Sequence, residues 1–169
     1  MLHKHIKVSD DDVVAGQGLV AQALIRKGEV ISKLEPNQTT YTLTELFAMR
    51  QDEQDRLMHF CYQCDENHIV CEDGDERFMN HSCDPNTWWL DDDTMIARRD
   101  IQAGEEVTYD YSTTDIDVPF EMRCRCGSRS CRKVVTHLDY REPSWQARYG
   151  DHLPAHVRKA ITDFNTSRI

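Results

Sequence analysis

The sequence lacks any long apolar run, and its first residues lack an apolar signal core. A membrane-spanning helix needs about 20 mostly apolar residues, and no stretch of these 169 residues comes near that length. The opening segment MLHKHIKVSDDD is polar and charged, whereas an export signal carries an apolar core. We therefore expect a cytoplasmic protein with no membrane partner, and a nuclear or host-delivered location stays open.

Positive charge is also scarce. Lys and Arg number 20 against 30 Asp and Glu, a formal net charge of −10. A general nucleic-acid binder normally shows a basic face, so we expect no direct nucleic-acid binding. Each acidic cluster (10–12, 72–76 and 91–93) is best explained singly as a solvated loop. Together they favour a basic partner, such as a lysine-containing protein or peptide; no feature indicates an oligomeric state.

Two segments repeat one pattern. The segments 18–35 and 95–111 both contain the run I-x-x-G-E-x-[IV], with apolar residues alternating around a Gly. Alternation on both sides of a Gly turn is typical of a strand, a turn and a second strand. We predict that each segment forms its own short β-hairpin.

The region between the repeats has the character of a helix followed by strands. In TLTELFAMRQDEQDRLMHF (42–60), Thr42 and Glu45 form a capping-box pair ahead of an apolar face. The segment 61–76 then returns to extended character, with turns at 65–67 and 73–74. One helix followed by extended chain is the expectation.

The C-terminal region is predicted to be helical. Ser144 is placed to cap a helix over WQARYG that ends at Gly150, and Pro154 opens a further helix. The apolar face of that last helix consists of Val157, Ala160, Ile161 and Phe164. The whole pattern predicts a single fold that is mainly β with peripheral helices.

The cysteines point to a metal site. Seven is an odd number, and without an export signal it favours reduced thiols over a disulfide framework. CRCGSRSC (124–131) presents three thiols in one loop, whereas structural zinc takes four ligands. On spacing alone the fourth ligand remains open among Cys83, Cys61, Cys64, Cys71 and the eight histidines. A second zinc at the C-x-x-C pair is less favoured than small apolar cysteines in a strand.

Four motifs in order resemble one family. GQGLVA (16–21), RFMNHSCDPN (77–86), GEEVTYDY (104–111) and CRCGSRSC (124–131) together resemble a SET-domain protein-lysine methyltransferase with a post-SET cysteine motif, in a small stand-alone, bacterial-type form. The resemblance covers about residues 8–134. It implies a SET-domain β-clip of small curved sheets with a C-terminal pseudoknot, where the NHSC and YDY motifs cross.

The resemblance also implies domains and an activity. It divides the chain into a SET domain (1–112), a post-SET zinc-binding loop (113–134) and a C-terminal helical tail (135–169). The implied activity is S-adenosyl-L-methionine-dependent N-methylation of a lysine in a basic protein, such as a histone or histone-like protein. Its cofactors would be S-adenosyl-L-methionine and Zn²⁺.

Site roles follow from matching motif positions. Tyr111 is the expected catalytic tyrosine, and Tyr109 the catalytic-site neighbour that favours mono- or dimethylation. Tyr109 and Trp89 would line the substrate channel, since strand alternation turns only one of Trp88 and Trp89 inward. The implied cofactor-binding residues are Gly16, Gln17, Gly18, Arg77, Phe78, Asn80, His81 and Tyr111. The implied zinc ligands are Cys83, Cys124, Cys126 and Cys131.

Some assignments leave alternatives open. The motifs contain no evident general base, and an aromatic channel beside a sulfonium would itself disfavour the lysine ammonium. Arg77 is alternatively a partner for nearby acids, and Arg132 is placed to cover the adenine. The histidines other than His81 are expected in surface or packing roles. The alternative function is a non-catalytic, zinc-stabilised lysine-peptide-binding module, which the intact NHSC and YDY motifs disfavour.

Overall fold

The computed structural model describes residues 1–11 and 13–168, and this part of the chain forms twelve short strands and four α-helices. The strands are β1 (Ile6–Ser9), β2 (Gly18–Ala21), β3 (Val30–Lys33), β4 (Thr39–Thr42), β5 (Cys61–Gln63), β6 (His68–Cys71), β7 (Asn80–His81), β8 (Thr87–Trp89), β9 (Thr94–Ala97), β10 (Glu106–Tyr109), β11 (Glu121–Arg123) and β12 (Val134–Thr136). The helices are α1 (Leu43–Ala48), α2 (Gln51–Met58), α3 (Pro143–Tyr149) and α4 (Ala155–Thr166). The mainly β architecture with peripheral helices is confirmed. Among the described residues, no helix combines the length and apolar content needed to cross a membrane.

The strands form four small sheets. Their orders are β1-β2-β10-β7, β3-β9-β8, β4-β6-β5 and β11-β12. All pairings are antiparallel except β10 with β7, which is parallel. The largest core cluster lies between the first two sheets, and its fully buried members are Leu19, Ala21, Ile25, Ile31, Ile101 and Val107.

The prediction of two separate hairpins is wrong. β2 does not pair with β3, nor β9 with β10; instead β2 pairs with β10 and β3 with β9. The two repeats thus pair with each other, and Ile25 bridges Ile101 at the centre of the arrangement. Both isoleucines have no exposed surface. Packing the two repeats against each other through these isoleucines removes more apolar surface from water than two isolated hairpins would.

The predicted single helix over 42–60 is divided into α1 and α2. The capping box is confirmed, since the Glu45 backbone N donates to Thr42 Oγ1 at 3.1 Å and the Thr42 N donates to Glu45 Oε2 at 2.8 Å. The chain leaves helical geometry at Met49 and Arg50 (ψ 158° and 153°). A second capping carboxylate, Glu53, accepts from the Arg50 N at 3.0 Å and starts α2. Two caps within one apolar pattern therefore produce two short helices.

The C-terminal helices differ from prediction only at one end. α3 begins at Pro143 with Glu142 as its N-cap residue, so the assignment of Ser144 as the cap is wrong. Proline at the first helical position has the φ that a helix start requires. Gly150 ends α3 with φ 53°, as predicted, and Pro154 directly precedes α4. The expected apolar face of α4 packs with Ile116, Tyr140, Trp145, Tyr149 and Leu153.

The expectation of reduced thiols is wrong for one cysteine pair. Cys61 and Cys71 lie directly opposite each other on β5 and β6 and form a disulfide, with a Cα–Cα distance of 4.2 Å. The spacing of cysteines in the sequence does not show which residues of two strands lie opposite each other, so this disulfide could not be predicted from it. Cys64 is a free thiol that donates to the His68 carbonyl at 3.5 Å.

Candidate active site

The NHSC and YDY motifs lie side by side, as expected, because β7 and β10 are parallel neighbours. His81 is opposite Tyr109, and the Ser82 N donates to the Tyr109 carbonyl at 2.9 Å. The Tyr111 N donates to His81 Nδ1 at 3.2 Å. Nε2 of this ring therefore carries the proton and faces Cys83 Sγ at 3.3 Å. Burial lowers the pKa of His81 to about 4, so the ring is neutral near pH 7.

Two cavities share a wall at Tyr111. The narrow cavity has a volume of about 70 Å³, and its aromatic wall residues are Phe60, Tyr62, Trp89, Tyr109 and Tyr111. The wide cavity has a volume of about 1270 Å³, and its wall includes Val14, Ala15, Asn80, His81, Tyr111 and the segment 118–125. Four residues line both cavities: Met58, His59, Tyr111 and Asp115. The wide cavity is larger than the roughly 300–1,000 Å³ of a typical small-molecule site, and the narrow one is far smaller than that.

Hydroxyl groups line the narrow cavity. The rings of Tyr109 and Tyr111 have centroids 4.9 Å apart, and those of Tyr62 and Trp89 lie 6.1 Å apart. The Tyr111 hydroxyl donates to the Met79 carbonyl at 3.1 Å. Burial raises the pKa of Tyr111 to about 12 and that of Tyr109 well above its usual value. Both groups are therefore protonated near neutral pH. The Tyr111 proton is donated to the Met79 carbonyl, so its oxygen remains available as an acceptor.

Of the two neighbouring tryptophans, Trp89 is the inward one. It is buried, and its indole Nε1 donates to Thr113 Oγ1 at 3.1 Å. Trp88 faces the other side of β8 and stacks on His152, with ring centroids 3.5 Å apart. The alternation predicted for this strand therefore places one indole in the cavity wall and one beneath the C-terminal region.

Asn80 secures the G-x-G segment. Its amide Nδ2 lies 3.0 Å from the carbonyls of Ala15 and Gln17 and 2.8 Å from Glu106 Oε1. A Cβ at Gly18 would stand 2.5 Å from Glu106 Oε1 and 2.9 Å from Asn80 Nδ2. A larger residue at position 18 would therefore have to displace these two side chains from their hydrogen-bonded positions. Gly16, at φ 51°, is required for its backbone conformation instead.

The predicted cofactor residues divide between the two cavities. Asn80, His81 and Tyr111 line the wide cavity, whereas Arg77 lies in the wall of the narrow one. The Arg77 guanidinium stands over the Phe78 ring at 4.8 Å from its centroid. A direct cofactor role for Arg77 and Phe78 stays a prediction.

The four predicted cysteine ligands converge. The sulfurs of Cys83, Cys124, Cys126 and Cys131 all lie within 4.8 Å of one another, and those of Cys83 and Cys124 are 3.7 Å apart. Zn–S bonds of about 2.3 Å in a tetrahedron require sulfurs about 3.8 Å apart. Small shifts of the sulfurs would therefore allow the four cysteines to bind one metal ion with tetrahedral coordination. The cluster joins the NHSC turn to the loop after β11.

Asp110, between the two site tyrosines, is the most heavily hydrogen-bonded side chain near the site. It is 1% exposed and receives two bonds from Arg132, at 2.6 and 2.7 Å. The Tyr149 hydroxyl donates to Asp110 Oδ2 at 2.7 Å, and Trp145 Nε1 donates to the same oxygen at 3.2 Å. Although burial opposes ionisation, the hydrogen bonds from Arg132 hold the pKa of Asp110 below its usual range.

Residues of the C-terminal region therefore hold Asp110 in place beside the site. The sequence of that region gave no indication of this role. Arg132, placed by sequence over the adenine, instead pairs with Asp110 and also contacts Asp139 at 2.8 Å. Tyr62, His59 and Asp115 were missed as site residues because they lie outside the four motifs. The one sequence feature that could have indicated any of them is that Asp115 follows Tyr111 by only four residues.

Small sheets arranged around paired cavities and a four-cysteine cluster define the class of fold, and comparison with known families identifies it. A family model described as "SET domain" matches residues 16–112, which is more than half of the chain. The chain belongs to the SET-domain family.

Curated relatives carry the same region. The chain is 32% identical to "Histone-lysine N-methyltransferase trithorax" of Drosophila virilis over 72% of its own length and 3% of that protein. It is 30% identical to "Histone-lysine N-methyltransferase ASHH3" of Arabidopsis thaliana over 71% of its own length and 35% of that protein. The chain therefore spans only a small part of these relatives.

Solved structures resemble the fold. KRYPTONITE, crystallised with mCHG DNA and SAH, superposes with a TM-score of 0.59 at 19% identity, covering 79% of this chain and 29% of that one. The methyltransferase domain of human SETMAR gives a TM-score of 0.57 at 21% identity, covering 79% and 58%. At these identities the likeness concerns the fold.

Replacing Tyr149 by Phe tests the role of the C-terminal region. Loss of a hydrogen bond to a buried charge is expected to lower the free energy of unfolding by about 1.5–3 kcal/mol, measured by urea denaturation. Tyr41→Phe is the matched control, because the Tyr41 hydroxyl has no hydrogen-bond partner among the described residues and its removal is expected to cost less than about 0.5 kcal/mol. Equal effects of the two changes would contradict the assigned role of Asp110.

Proposed function

We propose that the chain is an S-adenosyl-L-methionine-dependent protein-lysine N-methyltransferase that adds one or two methyl groups to a lysine of a basic protein, such as a histone. The observation that carries this proposal is the meeting of the two cavities at Tyr111. The wide cavity is assigned to the cofactor and the narrow one to the lysine side chain. A transfer reaction needs such a shared boundary, because donor and acceptor must approach each other while the remainder of each ligand stays apart.

The charges of the narrow cavity suit a cationic substrate. Glu72, Glu76 and Asp93 lie in its wall, and the wall residues include one Arg. Burial, together with Glu76, raises the pKa of Glu72 to about 7. Acidic walls attract a lysine ammonium, while the aromatic residues pack along its aliphatic stem. The names of the curated relatives, which are histone-lysine N-methyltransferases, support the same substrate class.

The chain's own residues contribute position and exclusion of water. S-adenosyl-L-methionine, when bound, supplies an electrophilic methyl group on a sulfonium. The Tyr111 hydroxyl, at the boundary, orients the attacking amine. The aromatic wall holds the lysine stem extended and removes its water, which disfavours the charged ammonium. In the wide cavity, Asn80 and His81 lie where the cofactor is expected.

Tyr111→Phe tests the proposal directly. We expect wild-type protein to transfer label from isotope-labelled S-adenosyl-L-methionine to core histones, and the variant to lose at least about 10²-fold in rate, a typical loss when one positioned hydrogen-bonding group is removed. Liquid scintillation with mass spectrometry of the product measures both. No transfer by wild-type protein, although S-adenosylhomocysteine binds by calorimetry, would mean that histones are the wrong substrate. Absence of both transfer and binding would contradict the function.

The number of methyl groups tests the assignment of Tyr109. A hydroxyl in the narrow cavity occupies space that a dimethylated amine needs for its next reaction. Wild type is therefore expected to stop at mono- or dimethyl-lysine, and Tyr109→Phe is expected to progress to trimethyl-lysine, with product masses as the readout. Trimethyl-lysine as the main wild-type product would refute this.

We assign the ion of the cysteine cluster as zinc, because four thiolates in a closed set are a typical structural zinc site. Elemental analysis is expected to find a single zinc ion per chain. Cys131→Ser should lose that zinc and lower the melting temperature. Cys64→Ser, which removes a free thiol outside the cluster, should retain it. Full zinc content in the Cys131 variant would overturn the assignment.

A further inference from the structure

Asp115 lies at the boundary of the two cavities without a role in the scheme above. It is only 9% exposed and lines both the narrow and the wide cavity. Glu72, Glu76 and Asp93 line the narrow cavity, and Asp55 and Glu121 line the wide one. Asp115 is the carboxyl group that these two walls have in common. A carboxyl at the place where donor and acceptor meet has access to the reacting nitrogen.

The two carboxyl oxygens of Asp115 differ. Oδ1 accepts from the backbone N of Gln63 at 2.7 Å, which fixes the side chain on β5. Oδ2 has no hydrogen-bond partner among residues 1–11 and 13–168, and it is not among the fully enclosed unpartnered atoms of that part of the chain. One oxygen is therefore held by the fold and the other is free to accept from a ligand.

Groups from several elements face this carboxyl. They are the hydroxyls of Tyr62, Tyr109 and Tyr111, together with the imidazole of His59, which lines the same two cavities. The carboxyls of Glu72 and Glu76 lie in the wall of the narrow cavity. No Lys or Arg side chain forms an ion pair with Asp115 among the described residues. A buried carboxylate without a cationic partner is costly, and a substrate ammonium would supply the missing partner.

We infer that Asp115 is a catalytic residue that accepts a proton from the substrate lysine before methyl transfer. The inference rests on the proposed function. In the first step an N–H bond of the lysine ammonium breaks and an O–H bond forms at Asp115 Oδ2, leaving a neutral amine and a neutral carboxylic acid. The amine lone pair then forms the N–C bond to the methyl carbon while the C–S bond breaks, and the sulfur keeps that electron pair. The carboxylic acid finally releases its proton to solvent.

The acidity of Asp115 agrees with this role. Burial raises the pKa of its carboxyl to about 7, closer to that of a lysine ammonium than the usual value of about 3.9. Because a base acts in its ionised form, the rate should rise with pH through this range and level off above it. Glu72 has a pKa of about 7 as well, but it lines only the narrow cavity, so it provides a matched control.

The test is the pH dependence of kcat between about pH 5.5 and 9.5, with the full zinc-bound chain, labelled S-adenosyl-L-methionine and saturating core histones. The kcat value is used because kcat/KM would also report the attraction of the lysine by Glu72. Wild type is expected to show an acidic limb near pH 7. Asp115→Asn, which keeps the acceptor for Gln63, should lose about 10²-fold or more in rate and lose that limb. Glu72→Gln should keep the limb. Persistence of the limb in Asp115→Asn, or its loss in Glu72→Gln, would overturn the inference.

Two further measurements separate this inference from the proposed function. Binding of S-adenosylhomocysteine to Asp115→Asn, by calorimetry, is expected to match wild type, whereas a general structural defect would weaken it. If wild-type protein neither methylates histones nor binds S-adenosylhomocysteine, the proposed function fails, and Asp115 is then observed in wild-type protein by NMR of ¹³C-carboxyl aspartate. Addition of n-butylammonium, which mimics the lysine side chain, should shift the Asp115 signal. An unchanged signal would overturn the inference.

Discussion

The buried carboxylate of Asp110 is the charge on which the arrangement of the site depends. A carboxylate removed from water is tolerated only where charged partners and hydrogen bonds replace its hydration. At Asp110 the replacements come from two distant parts of the chain, Arg132 after the cysteine loop and Trp145 and Tyr149 in α3, and from the adjacent backbone N–H of Ser112. Removing the charged partner of such a buried ion pair, here Arg132, typically costs about 3–5 kcal/mol. The two site tyrosines on either side of Asp110 are thereby held in one orientation.

The cysteine cluster is a second anchor of the same region. His81 connects it to the site, since Nε2 faces Cys83 Sγ and Nδ1 accepts from the Tyr111 backbone. The Arg132 backbone N also donates to Cys83 Sγ at 3.4 Å, and Arg148 donates to the Cys83 carbonyl. An ion bound by these thiols would therefore stabilise both the cavity boundary and the docking of α3. We expect metal binding and site geometry to be coupled for this reason.

The sequence predicted the local features and the family well, and the long-range pairings poorly. Capping of α1 by Thr42 and Glu45, and the end of α3 at Gly150, follow from residues within four positions of one another. The convergence of Cys83 with the CRCGSRSC cysteines was implied by family resemblance, while spacing alone left several ligands open. The pairing of β2 with β10, and of Cys61 with Cys71, depends on strand register, which is set by burial against distant partners.

Within the site, the residues that were missed share a physical cause. Asp115, Tyr62 and His59 lie outside every motif, and their importance comes only from the cavities that the folded chain encloses. Asp115 and His59 line both cavities, and Tyr62 lines the narrow one. Arg132 was placed over the adenine because it directly follows Cys131 in the post-SET motif. A fully buried carboxylate, which no local pattern reveals, proved to be its partner.

A structure of the protein bound to S-adenosylhomocysteine and a lysine peptide would show whether donor and acceptor meet at Tyr111. We expect the nucleoside in the wide cavity beside Asn80 and His81, the lysine side chain in the narrow cavity beside Trp89, and the sulfur and amine facing each other at Tyr111. The lysine nitrogen should lie within hydrogen-bond distance of Asp115 Oδ2, about 3 Å. A cofactor outside the wide cavity, or a lysine that enters by another route, would contradict this expectation.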